Sequence, residues 1–184
     1  MLSDEQKRRL IEVARQSLHA AVAGGPPPDL RTDDPELLEP RGAFVTLKRG
    51  GQLRGCIGYV EPRVPLIEAV ADNARSAALH DPRFTPVAAD ELPDIELDIS
   101  ALTPLQPVQD VEEIEVGRHG LMISCGPSRG LLLPQVPVEW GWDREEFLAH
   151  TCLKAGLPPD AWRQQDTELL CFEAEVFSER EFEA

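Results

Sequence analysis

The chain has no apolar run approaching the ~20 residues that a helix needs to cross a bilayer. Its opening, Ser3-Asp4-Glu5-Gln6-Lys7-Arg8-Arg9, leads into no apolar signal-peptide core, so a cytoplasmic location is expected. No two cysteines are spaced C-x-x-C, no histidine stands beside a cysteine at zinc spacing, and no carboxylates cluster with metal-site spacing. No metal or cofactor is therefore assigned. A P-loop, a Rossmann glycine pattern and a nucleophile elbow are also missing, which removes the sequence basis for the commonest nucleotide and acyl-transfer sites. There is no internal repeat and no low-complexity tract. Basic residues are scarce: 18 Lys and Arg stand against 33 Asp and Glu, a net charge of −15. Such a surface repels nucleic-acid phosphates and anionic membranes, so neither is expected as a partner. Its ordinary use is solubility; a basic protein partner is the other use.

What remains is a chain of 184 residues with 42% hydrophobic content, enough for one core, or one core with a satellite lobe. Ser3 to Val22 reads as an amphipathic helix, with Ser3 and Gln6 spaced as a capping box. Gly24-Gly25 and three prolines end it. Residues 24–40 then form a Pro- and Asp-rich connection that wraps the surface within one domain, residues 1–184. Ala43–Arg49 and Gln52–Val60 read as strands of a hairpin turning at Gly50-Gly51. Pro65–Leu79 is the next helix, stopped by Asp81-Pro82. Asp94–Leu102 alternates as a half-buried strand. Gly120–Cys125 and Arg129–Leu133 form a second hairpin, with a short helix after Pro134. Asp143–Ala155 is helical, and Leu169–Phe177 is a last strand with Leu170, Phe172, Ala174 and Val176 inward. Paired strands with helices around them point to the α+β class, antiparallel sheets packed with helices.

Four cysteines are present: Cys56, Cys125, Cys152 and Cys171. In a cytosolic chain they are free thiols. The last three sit in apolar patterns, as core residues do. Cys56 differs, because Leu53-Arg54-Gly55-Cys56-Ile57-Gly58 puts it between glycines that let a ligand or another backbone approach. Arg54 and Cys56, two residues apart on a strand, fall on one side about 6–7 Å apart along the chain. A guanidinium there favours the reactive thiolate. Leu53, Ile57 and Tyr59 point the other way, toward the core. With a two-residue hairpin loop, Val45 and Leu47 share the face of Cys56. That face suits a lined pocket or a plain core equally, and burial is the commoner fate of a strand cysteine.

Other candidates are scattered. His119, in Gly117-Arg118-His119-Gly120, is a general base or a surface hydrogen-bonding residue. In His80-Asp81-Pro82-Arg83-Phe84, Arg83 binds an anion and Asp81 positions Arg54 or a substrate, or the two make a structural ion pair at a helix stop. Asn73 sits on a buried helical seam, so its amide needs a partner from backbone or ligand. Gln135 ends an apolar run at a cleft. Trp140 and Trp142 flank Gly141 and pack a lobe boundary or form a ligand platform.

These blocks, taken together and in order, resemble the AMMECR family, whose prokaryotic members are called AmmeMemoRadiSam system protein A. The hexapeptide Leu53–Gly58 matches the family signature. Arg41–Leu47, Asp81–Phe84, Gly117–Leu121, Gly130–Val136 and Lys154–Leu157 resemble its other blocks, so the likeness covers nearly the whole chain. Pro137 departs from the pattern within the short helix after Gln135, where the first turn tolerates proline. The resemblance implies a two-lobed α+β fold with a larger and a smaller antiparallel sheet, and a signature that lines a cleft. It implies association with Memo-like and radical-SAM proteins. It brings no reaction with it.

Two functions compete on this reading. In the first, the protein is an enzyme of unknown specificity: Cys56 is a nucleophile or a thiolate acid–base group, helped by Arg54 with His119 as a base, while Asn73, Asp81, Arg83 and Gln135 orient a small polar or anionic substrate. In the second, the protein is a non-catalytic partner of Memo-like and radical-SAM proteins, with the signature as recognition surface. A plain structural role for the glycine-rich signature stands beside both.

Overall fold

The computed structural model describes residues 1–183, and these divide into two compact units. The first unit takes Met1–Leu102 and the chain from Glu175 onward; the second takes Thr103–Ala174.

In the first unit, helix α1 (Asp4–Ala23) starts at the expected capping box. Ser3 Oγ accepts the Gln6 N–H at 3.2 Å, and Gln6 Oε1 accepts the Ser3 N–H at 2.8 Å. Gly24, with φ of 72°, closes the helix in the left-handed region. The connection that follows holds a short helix, α2 (Pro35–Leu38), capped by Asp34 and anchored by buried Leu37. Strands β1 (Ala43–Arg49) and β2 (Gln52–Tyr59) form the expected hairpin, with Gly50 and Gly51 both at positive φ. Helix α3 (Leu66–Leu79) precedes strand β3 (Ile95–Leu102), which pairs antiparallel with β1. The strand order is β2-β1-β3, so β2 is an edge. Helices α1 and α3 pack together, and α3 covers one face of β1 and β2. Leu10, Leu18, Val45, Leu47, Ile67, Val70, Leu97 and Ile99 meet in that core, all essentially buried.

The faces of the hairpin differ from the simple alternation. Lys48 pairs with Leu53 but Leu47 pairs with Gly55, so Arg54 is one extra residue in β2. One inserted residue transfers every later side chain to the opposite face. Val45 therefore lies opposite Ile57 and faces the core, and it is Thr46 that lies opposite Cys56. Leu53, ahead of the bulge, is 41% exposed rather than inward. Beyond the bulge, Gly55 is where α3 touches the sheet. A Cβ added there stands 2.2 Å from the Ala77 carbonyl oxygen, so only glycine fits.

In the second unit, strands β4 (Gln106–Pro107), β5 (His119–Cys125), β6 (Ser128–Leu132) and β7 (Glu168–Ser178) pair antiparallel in the order β6-β5-β7-β4. Helices α4 (Gln135–Trp140) and α5 (Arg144–Lys154) accompany them. Pro137 is buried in the first turn of α4, where the missing N–H has no intrahelical partner to lose. Ile114, Leu121, Phe147 and Leu148 form one core cluster; Ile123, Cys152 and Ala161 form another. Strand β7 departs from strict alternation. Phe172 is buried and Val176 is 66% exposed, while Phe177 is buried in the core of the first unit. Phe172 and Phe177 lie an odd number of positions apart and are both buried, which no single period-two pattern allows; Phe172 belongs to the second unit and Phe177 to the first. Among the described residues, no helix is long and apolar enough to cross a membrane. The fold is α+β, with antiparallel strands packed against helices.

Replacing Gly55 by alanine is expected to destabilise the protein by about 1–3 kcal/mol, because a backbone carbonyl has no rotamer with which to yield. Urea denaturation followed by circular dichroism reads this; an unchanged midpoint would contradict the contact with Ala77.

Candidate functional site

Cys56 lies on the edge strand, and its main chain is fully occupied. Its N–H donates to Asp81 Oδ2 at 2.9 Å, and its carbonyl accepts from Arg83 Nη2 at 3.4 Å. Both groups point away from β1, so Thr46 and Cys56 form the kind of antiparallel pair whose side chains come closest. Thr46 Oγ1 accordingly donates to Cys56 Sγ at 3.2 Å. The thiol itself is half-buried. Across β1 the next residue in the row is Asp98, which pairs with Thr46 in register and holds the Lys48 ammonium.

The clamp on Cys56 comes from the end of α3. After Leu79 the chain makes a turn in which the Phe84 N–H donates to the Asp81 carbonyl at 3.1 Å, with Pro82 at the turn position where its fixed φ fits. Asp81 is 5% exposed. Its Oδ1 accepts the Arg83 N–H and Nε, both at 3.0 Å; its Oδ2 accepts Arg83 Nη2 at 2.8 Å besides the Cys56 N–H. The Arg83 guanidinium, helped by the two backbone N–H groups, holds the Asp81 carboxyl well below the usual carboxylate range.

Arg54 has a different post. Its Nε and Nη2 form a two-pronged pair with Glu91 at 2.9 and 3.0 Å, and Nη1 donates to the Thr85 carbonyl at 2.8 Å. Glu91 also accepts the Ala88 N–H at 2.9 Å. The Arg54 guanidinium and that N–H lower the Glu91 carboxyl to about 2. The cation bonded at Cys56 is thus Arg83, while Arg54 ties the bulge to the segment that leads into β3. Asn73 is buried and donates its Nδ2–H to the Ala43 carbonyl at 3.0 Å, so its partner is backbone.

His119 and Gln135 belong to the second unit. His119 opens β5; its Nδ1 accepts the Glu115 N–H at 2.9 Å, and its Nε2 lies 3.6 Å from the Glu173 carboxylate. That arrangement puts the single proton of neutral His119 on Nε2. Gln135 is exposed at the first position of α4. Trp140 is 71% exposed and stacks on Trp142, which stacks on His150 at 3.8 Å. The remaining cysteines are free thiols. Cys152 is fully buried and Cys171 half-buried, and burial pushes both thiols up. Cys125 is half-buried, with its sulfur 3.6 Å from Asp166. Among the described residues, no three His, Cys, Asp or Glu side chains gather as a metal site.

Direct bonds therefore unite Cys56, Asp81, Arg83 and Thr46, with Arg54, Glu91 and Asn73 bracing the same unit. Sequence reasoning named neither Thr46 nor Glu91. Thr46 is hidden because the bulge reverses the face; Glu91 is one acid among many, with no local signal.

The AMMECR1 family model matches residues 11–177. The chain belongs to the AMMECR1 family. It is 47% identical over 186 residues to a protein of Methanothermobacter thermautotrophicus, covering 97% of this chain and 96% of that one. It is 47% identical to protein MK0488 of Methanopyrus kandleri, covering 98% and 91%. The crystal structure of protein PH0010 from Pyrococcus horikoshii superposes with a TM-score of 0.76 at 44% identity, covering 97% of this chain and 93% of that chain.

The Asp81 clamp has a pH signature. A carboxyl lowered in the folded state stabilises it above the unfolded pKa, near 4, and that stability is lost as pH falls toward the folded value. Asp81→Asn places an amide N–H2 among donors and is expected to cost about 2 kcal/mol at pH 7. The gap from the parent should narrow steadily below about pH 4. Urea unfolding at a series of pH values measures it; a gap independent of pH would contradict the charged clamp.

Proposed function

We propose that Cys56 is the reacting group of a thiol-dependent site in the first unit, acting on a small polar or anionic substrate. The observation that carries this reading is the Thr46 hydroxyl, which donates to Cys56 Sγ at 3.2 Å. A hydroxyl aimed at sulfur favours the thiolate, the form from which a nucleophilic step starts. The clamped backbone supports the same reading, since both main-chain groups of Cys56 are held and the sulfur has a defined position. Arg54 and Glu91 contribute by fixing the bulge. His119 has its Nδ1 lone pair taken by the Glu115 N–H, and no step is assigned to it.

A second reading, docking to a Memo-like or radical-SAM protein, is favoured by Leu53. It is a large apolar side chain in the signature and is 41% exposed. Leu53→Glu should abolish co-purification with such a partner and leave alkylation of Cys56 intact; retained co-purification would remove Leu53 from the docking surface.

The thiol reading is tested by alkylating the native protein with iodoacetamide and locating the adduct by peptide mass mapping. Cys56 should react ahead of Cys152 and Cys171. Thr46→Val should slow it roughly tenfold at pH 7, the scale of one hydrogen bond to a charged acceptor. If Cys56 reacts only after unfolding, the thiol reading fails.

A further inference from the structure

Arg83 is the cation at Cys56, and it is only partly used. Its hydrogen bonds to Asp81 and to the Cys56 carbonyl run through N, Nε and Nη2. They occupy one edge of the planar guanidinium and leave the Nη1 edge turned away from the carboxylate. The Arg83 side chain is 55% exposed, against 2% for Asp81. The pair is therefore an oriented dipole. Its negative end is buried beneath the strand edge, with each carboxylate oxygen already accepting two N–H donors, and its positive end faces solvent. Two neighbouring cations are committed. Arg54 uses Nε, Nη1 and Nη2 and is 14% exposed; Lys48 is tied to Asp98.

Resting on the thiol reading above, we infer that Arg83 makes the site selective for anions, so that Cys56 reacts with small electrophiles that carry a carboxylate or phosphate group. Asp81 has two tasks in this arrangement. It fixes the Cys56 backbone, and it presents the free edge of Arg83 beside the same residue. A guanidinium with one edge anchored loses little further freedom when the other edge takes a planar or tetrahedral oxyanion.

The test compares two alkylating probes of nearly equal size, anionic iodoacetate and neutral iodoacetamide. In either reaction the Cys56 sulfur forms a bond to the CH2 carbon, the carbon–iodine bond breaks, iodide leaves and the thiol proton passes to buffer. The readout is the ratio of the two rates at Cys56 by peptide mapping, with Cys125 in the same molecule as reference, because its sulfur lies beside Asp166. Arg83→Gln should lower the iodoacetate-to-iodoacetamide ratio about three- to fivefold, the scale of one partly exposed charge. Arg83→Lys should keep most of it, and high salt should erode it in the parent. A role of Arg83 confined to stability would shift both rates together and leave the ratio unchanged. If iodoacetamide labels Cys56 while the ratio is the same in the parent and Arg83→Gln, anion selection is overturned and the thiol reading stands. If Cys56 resists iodoacetamide altogether, the thiol reading falls and this inference with it. Should Arg83→Gln not fold, a parent ratio unmoved by salt overturns the inference.

Discussion

A single buried carboxylate, that of Asp81, holds the signature strand in place. An edge strand presents unpaired N–H and C=O groups that must be covered or paired. At Cys56 the cover is the Asp81–Arg83 pair, which supplies an acceptor and a donor where a neighbouring strand would have supplied both. Four N–H groups converge on the two oxygens of Asp81. Such saturation explains how a carboxylate can stay charged at 5% exposure, since each lone-pair direction that water would have filled is filled by the protein. Removing the carboxylate would free the strand edge, the guanidinium and the turn after α3 at once. The main-chain position of Cys56 depends on this one group, which lies outside the hexapeptide.

The bulge at Arg54 is the second constraint, and it has a chemical consequence. Without it, Cys56 would face the core beside Val45, in the apolar surroundings where thiols are inert. With it, the apolar residues of β1 stay in the core and Cys56 turns to the face of Thr46, Lys48 and Asp98. The two-pronged pair of Arg54 with Glu91 sits on the inserted residue itself and holds the insertion in place. Gly55, next in sequence, lets α3 lie directly on the strand that the bulge has shifted. Arg54 and Gly55 thus act mainly on backbone position, and their effect is felt at the next residue, at the sulfur.

Much of this architecture is legible in the sequence. The capping box of α1, the Gly50-Gly51 hairpin, the α3 stripe and the alternation of β3 are local patterns, and each marks its element within a residue or two. The family blocks lead to the same fold. What local pattern misses is where two parts of the chain meet. The bulge leaves no mark in Gln52-Leu53-Arg54-Gly55, and the pair that Arg54 makes there is with Glu91, 37 residues away. Arg54 looks like the partner of the thiol because it is near in sequence. Arg83 holds that place because the turn after α3 brings it to the strand edge. The expected inward Val176 fails for a similar reason, since β7 passes from the second unit into the first along its length. At the site, Cys56, Asp81 and Arg83 are readable as candidates, but their mutual bonds are tertiary facts.

The charge states of the frame bear on how the thiol can be studied. Asp81 lies well below the usual carboxylate range and Glu91 near 2, each held there chiefly by its arginine. By linkage, the stability these carboxylates contribute is constant above their unfolded values, near 4, and drains away only as pH falls below them. Both clamps are then fully charged throughout the range in which thiols begin to ionise. Raising pH from neutrality changes the sulfur without loosening the turn, the bulge or the edge cap. A pH profile of Cys56 reactivity above about pH 6 therefore reports on the thiol and its Thr46 partner. A slope that appears only below about pH 4 reports on the frame. Separating the two regimes distinguishes a reactive cysteine on a rigid support from one whose accessibility follows local unfolding.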